Sequence, residues 1–551
     1  MVKPYLNQIG GVVNDDVSLF TGGLNTYTDK AFLESDQMPY VMNMTMRQPP
    51  AIQTRNSRST LANMFDTQKL PWNSMEITNM WAKDQDLVYF IRKEDALTYH
   101  LCMLKKNGVT GKYDYSVIHT DTEGNYEGVQ FAYGRTQTEE FLYLGNEQFK
   151  ARMVLGAENP IAQYTDAYVD HFGFPCWHKA RLWLLRPSEG IVEWSNSLMP
   201  DDFLIGFDDP DAPTRYGDSG TLPITSLNGR GKLTGLTSFD DKLIVFNEHS
   251  VTAIYGSSGV YRWSDTKEQD PNYFQPVDLI GRVGCLSPNH FATSAGRLYW
   301  FGDDKQIYEY TGSSINIISR PGKTRNSTLS IGGIDNVLNH LNVTNVEATS
   351  TILYVDTAEG YMFVFDAYNR VWWCEDGGFT ALTNYSQSTD NLLMAKSNGD
   401  ILSYDNLIAN TGRDEIYNWE TETADFEDIE FEFHTRVYGA EGTDLRKSLS
   451  DVWFQMFCTN GYGDVYINDI WCEYDIWRRS REVAEERYKK IGHFAANATR
   501  GSLELYQPQT YEQRYFPVEK MFGQRLNTFQ VIVKGKLFAK FFLMKREWRA
   551  R

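Results

Sequence analysis

Cysteine is scarce in this chain, and its spacing excludes more than its number. Six cysteines occur in 551 residues: Cys102, Cys176, Cys285, Cys374, Cys458 and Cys472. No two stand closer than fourteen residues, so there is no C-x-x-C zinc or redox motif. Free, mostly buried thiols made in a reducing compartment are the expectation. Histidine is also sparse, with nine residues and no H-E-x-x-H. His171 and His178 lie seven apart without an acidic third ligand at a useful spacing, so no metal site is expected there. No G-x-x-x-x-G-K-[ST], G-x-G-x-x-G or G-x-S-x-G stands in a usable setting, which removes phosphate cradling and α/β-hydrolase chemistry. No run of eighteen apolar residues exists, so no transmembrane helix is expected. The opening Met1-Val2-Lys3-Pro4-Tyr5 lacks an apolar h-region, and no signal peptide is expected.

Positive charge is in deficit. Lys and Arg number 53 against 72 Asp and Glu, a net charge of −19. Sequence-specific nucleic-acid binding needs a basic footprint, so that class is disfavoured. An acidic wall still allows DNA to slide past, and the same charge serves solubility.

What is present is aromatic and pleated. Aromatics make up 14% of the chain, led by 33 Tyr and 31 Phe, which suits half-buried strands. Four stretches repeat one phrase, a polar turn followed by apolar β-formers: Lys179 to Leu184, Asp240 to Phe246, Ala295 to Phe301 and Thr389 to Met394. One hairpin cannot bury its own apolar face, so a recurring hairpin implies an array. Strand centres fall near Leu87, Leu142, Leu182, Leu243, Leu298, Ile352 and Leu392, at intervals of 40 to 61 residues. Propeller blades have this pitch. Two blades can be read strand by strand: 233–239, 243–246, 251–255 and 274–279, then 289–294, 297–301, 306–310 and 315–318. A short helix is expected over 334–341, inserted between the fifth and sixth units.

The expected fold is all-β: a propeller of six or seven blades over residues 71–412, preceded by an extended arm (1–70) and followed by a sandwich-like β domain (413–551). The arm is rich in Gly, Asn, Thr and Ser and suits packing on another domain or subunit. An acidic block over 414–433 marks the boundary and ends in the alternating Ile429-Glu430-Phe431-Glu432-Phe433. Strands are expected over 452–457, 464–467, 503–506, 529–533 and 537–544. The window 475–490 reads as a polar helix or an exposed hairpin. Near the C-terminus, Lys534, Lys536, Lys540, Lys545, Arg546, Arg549 and Arg551 are expected on one charged face, solvated or against an acidic neighbour.

Propellers often hydrolyse glycans, which makes carboxylate pairs candidates for catalysis. Asp201-Asp202, Asp208-Asp209-Pro210-Asp211 and Asp303-Asp304 are the candidates. Glycosidase carboxylates come from separate strands and face each other across a substrate, which neighbours on one turn do not do. They read as turn formers. Asp208 to Asp211 also lacks the spacing of a calcium loop. No catalytic, cofactor-binding or metal residue is assigned, the chain is expected not to be an enzyme, and no channel-lining residue is identified.

Several motifs stand in a telling order. Gly22-Gly23-Leu24-Asn25-Thr26 is followed by Asn43 and by Thr54-Arg55. Then come Arg181-Leu182-Trp183-Leu184, Val192-Glu193-Trp194-Ser195 and Pro200-Asp201-Asp202-Phe203. Leu236 to Phe246, Ser250 to Gly256 and Gly284-Cys285-Leu286-Ser287-Pro288 complete the series. Over about residues 20 to 410 this order resembles the tail nozzle proteins of short-tailed bacteriophages, also called tail tubular protein B or packaged-DNA stabilisation proteins. The resemblance implies a virion structural protein, assembled in the host cytoplasm and resident in the tail. It implies a ring, usually of six copies, beneath a portal and adaptor and near tail fibre proteins. Such a ring surrounds the DNA exit channel, closes it until infection and then lets double-stranded DNA pass, without stable insertion into a membrane. The rival expectation is a carbohydrate-binding or depolymerising propeller at the host surface, because aromatic faces stack on sugars. A cellular scaffold propeller for protein partners is a third.

Overall fold

The computed structural model describes residues 12–30, 32–61, 75–84, 86–155, 161–162, 171–203, 218–224, 230–259, 272–294, 296–323, 330–386, 391–404, 411–438, 447–458, 460–469, 488–495, 512–517 and 529–550. Seven four-stranded antiparallel sheets succeed one another along the middle of the chain. Their first strands are Ile77–Asp84, Gln130–Arg135, Phe174–His178, Leu233–Phe239, Phe291–Ser294, Val343–Ala348 and Ala381–Ser386. The strand of the seventh sheet packs beside that of the first, so the array closes on itself. This is a β-propeller, and the seven sheets are its blades one to seven. Blade seven borrows its fourth strand, Ser59–Thr60, which pairs with Ile401–Tyr404. A strand from early in the chain thereby completes the last blade.

The second strand of every blade is a continuous apolar run, and the reason is geometric. Successive side chains of a strand point to opposite faces, and both faces of a blade meet another blade. Leu243 and Val245 enter the core between blades three and four, while Ile244 and Phe246 enter the one between four and five. Leu298 and Trp300 join that second core, and Tyr299 and Phe301 turn toward blade six. All seven expected strand centres lie in second strands, Leu87–Lys93, Glu140–Gly145, Arg181–Arg186, Lys242–Asn247, Arg297–Phe301, Ile352–Thr357 and Asn391–Ala395. One apolar cluster fills each of the seven interfaces between blades. The helix between blades five and six is one turn, Asp335–Leu338. Ile334 and Leu338 bury their side chains in the five–six core, and the chain leaves by a tighter turn before Val343.

Beyond the propeller, Arg413–Asn418 and Thr423–Asp428 form a hairpin from the acidic block. Two larger sheets follow. One orders Glu512–Pro517, Lys447–Cys458, Ala539–Ala550, Ile52–Thr54 and Met44–Thr45, with Val12–Ser18 also on Ala539–Ala550. The other orders Tyr40–Met42, Glu430–His434, Phe529–Lys536, Tyr462–Asp469 and Tyr488–Ala495. Their facing side chains, among them Phe433, Phe454, Val465, Val533 and Phe541, form one core. That core runs without a break into the interface of blades six and seven, through Val41, Met44, Trp373 and Met394. Residues 12–61 are thus shared among both sandwich sheets and blade seven. The expected strand at 503–506 lies outside the described residues, as does 475–487 of the polar window; Tyr488–Ala495 is a strand.

The basic C-terminal residues do not share one face. Lys534 and Lys536 stand opposite Glu432 and Glu430 in register and pair with them, so the acidic neighbour belongs to the same chain. On the other sheet Lys545 lies over the Trp453 ring, and Arg546 is buried with its guanidinium over Tyr438. Arg551 lies outside the described residues.

Candidate functional site

Two places gather polar side chains that the apolar array does not require. The first is the junction of arm, propeller and sandwich. The stretch 55–58 crosses from the sandwich strand Ile52–Thr54 to the blade-seven strand Ser59–Thr60, and it carries Arg55 and Arg58, both about 1% exposed. Two guanidinium groups at that depth require anionic partners. Arg55 donates to Asp414 through Nη1 at 2.8 Å and Nη2 at 2.5 Å, and to Asp376 from Nε at 3.0 Å and Nη2 at 3.1 Å. Arg58 donates to Asp376 at 2.8 Å and to the fully buried Glu375 at 3.1 Å. Its guanidinium also faces the rings of Phe379 and Tyr404. Glu375 further accepts hydrogen bonds from Trp373 Nε1 and the Tyr404 hydroxyl.

Asn43 completes this junction. Its backbone has φ 55°, a region Asn tolerates better than most residues. From there its Nδ2 donates to the Glu430 carbonyl at 2.8 Å, and its Oδ1 accepts from Arg55 Nε and from Asp376 N, both at 3.0 Å. Thr54 Oγ1 donates to the Leu537 carbonyl and accepts from Ala539 N. Burial alone would raise the Asp376 and Asp414 carboxyls; the neighbouring arginines outweigh it and hold both below the ordinary aspartate range. Asp376 and Asp414 in turn raise Arg55 against the effect of its burial.

Further along the arm, Gly23 has φ 72°, and a Cβ there would stand 2.8 Å from the Trp372 carbonyl oxygen. Glycine alone permits that approach. Leu24 enters the core of blades five and six, and Asn25 closes its turn by accepting from Tyr27 N and Thr28 N. Of the motif residues at the start of the chain, Gly23 and Leu24 seat the arm on the propeller, and Asn43 and Arg55 tie the propeller to the sandwich and its hairpin.

The second place is the propeller axis. First strands of neighbouring blades share few backbone hydrogen bonds, and amide side chains bridge them. Asn79 Nδ2 donates from blade one to the Val129 carbonyl before blade two at 2.7 Å. Asn345 donates from blade six to Phe379 O at 3.1 Å, and Asn384 from blade seven to Ala348 O at 2.8 Å. Gln130 Nε2 reaches Asn289 Oδ1 at 3.4 Å, linking blade two with the start of blade five. A cavity of about 190 Å3 lies among these strands, lined by Asn79, Gln130, Asn289, Asn345, Glu347 and Thr383 together with Trp81, Phe131 and Phe291. Glu347 is the single charged residue of the lining. Its Oε1 accepts from Ala348 N at 2.9 Å and from Asn384 Nδ2 at 3.5 Å. Among the described residues no cation pairs with it. Burial pushes its carboxyl up to about 7.

The residues weighed in the sequence separate. His171 pairs with Glu193 at 2.7 Å and stacks on Phe203, whereas the buried His178 meets Ser238 Oγ at 2.8 Å and burial lowers it to about 4. Asp201 pairs with Arg152. Asp303 accepts from Gly284 N and pairs with His249, and Asp304 accepts from the Tyr308 hydroxyl. Asp208 to Asp211 lie outside the described residues. No cluster of three His, Cys, Asp or Glu residues arranged for a metal occurs among the described residues. Among the described residues, Cys102, Cys176, Cys285 and Cys374 are free and buried. In the hairpin of blade three, Trp183 and Trp194 meet Phe274 edge to face, and Arg181 pairs with Asp218.

The junction partners Glu375, Asp376 and Asp414 and the axial Glu347 were not singled out in the sequence. A carboxylate inside the otherwise uncharged strand Val343–Ala348 is the one signal that could have pointed to the axis.

No family model matches the chain, and no curated protein matches it. Among solved structures it is similar to the WD40 β-propeller domain of Doa1, at 8% identity over 63% of this chain and 96% of that one, with a TM-score of 0.38. It is also similar to U3-55K (10% identity, 61% and 96% covered, TM-score 0.37) and to BamB from Moraxella catarrhalis (10% identity, 72% and 97% covered, TM-score 0.34).

Proposed function

We propose that the chain is a structural subunit of a short-tailed bacteriophage tail, a nozzle component that surrounds and closes the DNA exit channel and releases DNA at infection. The observation that carries this reading is the junction. The resemblance rests in part on Gly22 to Thr26, which seat the arm on the propeller, and on Asn43 and Thr54-Arg55, which tie propeller to sandwich. A part of a pressurised conduit must pass load between its lobes without hinging. A closed propeller, a core continuous with the sandwich and a buried ionic junction suit that task. The net charge of −19 suits a wall along which DNA slides. In this reading the subunit forms a closed ring, six copies by resemblance, against portal, adaptor and fibre proteins.

The test is genetic and structural together. Phage lacking the chain should fill their heads and then lose DNA, and cryo-electron microscopy of intact particles should place a ring of this fold below the portal. Particles that retain DNA and infect without the chain would refute the reading.

A further inference from the structure

We propose that the axial cavity of the propeller is a binding site for a small organic ammonium ion, with Glu347 as its counter-charge. The inference stands apart from the virion reading, because it rests on the cavity alone. The lining is neutral except for Glu347; it comes from five blades, four of which supply its amide groups and aromatic rings. Glu347 is half-buried at the cavity wall, and a partly desolvated carboxylate without a cation carries a cost that a single positive charge in the cavity offsets. The occupant is organic on grounds of size and charge. A volume of about 190 Å3 equals roughly six waters at about 30 Å3 each, far more than a bare ion fills. Calcium and magnesium favour several oxygen ligands with more than one carboxylate, and this lining supplies one. The oxygens of Asn79, Gln130 and Asn345 accept N–H groups, and Trp81 and Phe131 offer aromatic surface to an alkylammonium. Burial holds the Glu347 carboxyl near 7, so the empty site carries a proton part of the time, and the ammonium displaces it.

The probe is n-butylammonium, titrated into the full-length protein by calorimetry, with n-butanol as its neutral twin and potassium chloride as the inorganic arm. Butylammonium should bind, with butanol at least tenfold weaker and potassium failing to displace it at equal concentration. Its affinity should rise roughly tenfold between pH 6 and pH 8, as the carboxyl near 7 ionises while the amine stays charged. Glu347→Gln keeps the shape and should weaken binding at least tenfold with an unlowered melting temperature. Asn289→Trp, at the exposed rim, should block entry while leaving the carboxylate in place. Absence of binding, equal binding of butanol, displacement by potassium, or an unchanged affinity in either folded variant would each overturn the proposal. Should both variants misfold, a flat pH dependence in the unaltered protein would overturn it as well.

Discussion

The arm junction and the propeller axis both place carboxylates among protein atoms, and they treat them in opposite ways. At the junction Asp376 and Asp414 face two buried guanidinium groups and are held ionised below the usual range. At the axis Glu347 meets only a backbone N–H and an amide, and its carboxyl is driven up. Burial has the same sign in both places; the partner decides the outcome. Ionic pairing therefore marks where the lobes are locked, and an uncompensated charge marks where the fold is open to a ligand.

Removing Arg55 should break this contrast most severely. Arg55→Ala would leave Asp414 buried and would strip Asp376 of half its cationic support. Losing one partner of a buried pair costs roughly 3–5 kcal/mol. Asp376 keeps contact with solvent, so the low end, about 3 kcal/mol, is expected. Urea unfolding of the variant should show that loss, and a tryptophan or proteolysis probe should report the sandwich separating from the propeller first. A loss under about 1 kcal/mol would show that the apolar core of the junction suffices without the ions.

The two places should also respond oppositely to pH. Asp376 and Asp414 are lowered on folding, so the unfolded chain takes up protons first as the solution is acidified. Their contribution is complete above the ordinary aspartate value near 4 and disappears as pH falls through the folded values. Glu347 is raised, so between about 4.5 and 7 the folded state holds the extra proton. Its contribution is greatest below about 4.5 and declines as pH rises toward 7 and above. Asp356, pushed up to about 6 by burial, declines in the same sense. Glu347→Gln isolates the axial share: at pH 8 it should raise stability, by at most about 3 kcal/mol on the scale of 1.36 kcal/mol per unit, and at pH 4 it should change nothing. Equal effects at both pH values would place the Glu347 carboxyl near its ordinary value and remove the contrast.

The propeller was legible because its signal is local and repeated. An apolar second strand between polar turns, such as Asp240 to Phe246, has few other uses, and period-two burial on both faces explains it. The closing strand was not legible. Ser59–Thr60 is two residues long and has no apolar pattern, and its partner Ile401–Tyr404 lies some 340 residues away. The junction was half legible: Asn43 and Arg55 stood out as motif residues, but Asp414 looked like one member of a solvated acidic run. Its role depends on Arg55, 359 residues distant. The basic C-terminal residues misled for a related reason. Charge in sequence reports what a strand carries, and only the register of Glu430 and Glu432 against Lys536 and Lys534 shows where it is neutralised.

The smallest expected effects concern the amide bridges, and they sharpen the comparison within the axis itself. Asn345 and Asn384 make reciprocal donations between blades six and seven, yet they differ in burial. Asn345 is buried, and its bond to Phe379 O is buried with it, so Asn345→Ala removes the more enclosed of the two bonds; about 1–3 kcal/mol is expected. Asn384 is only partly buried and sits beside Glu347, so water can take over its part-buried bond to Ala348 O. Asn384→Ala should therefore cost about 0.5–1 kcal/mol in urea unfolding. The order of the two costs matters more than their size. If Asn384 proved the costlier, water would not reach the Ala348 carbonyl, and the partly buried bond would be the more enclosed one.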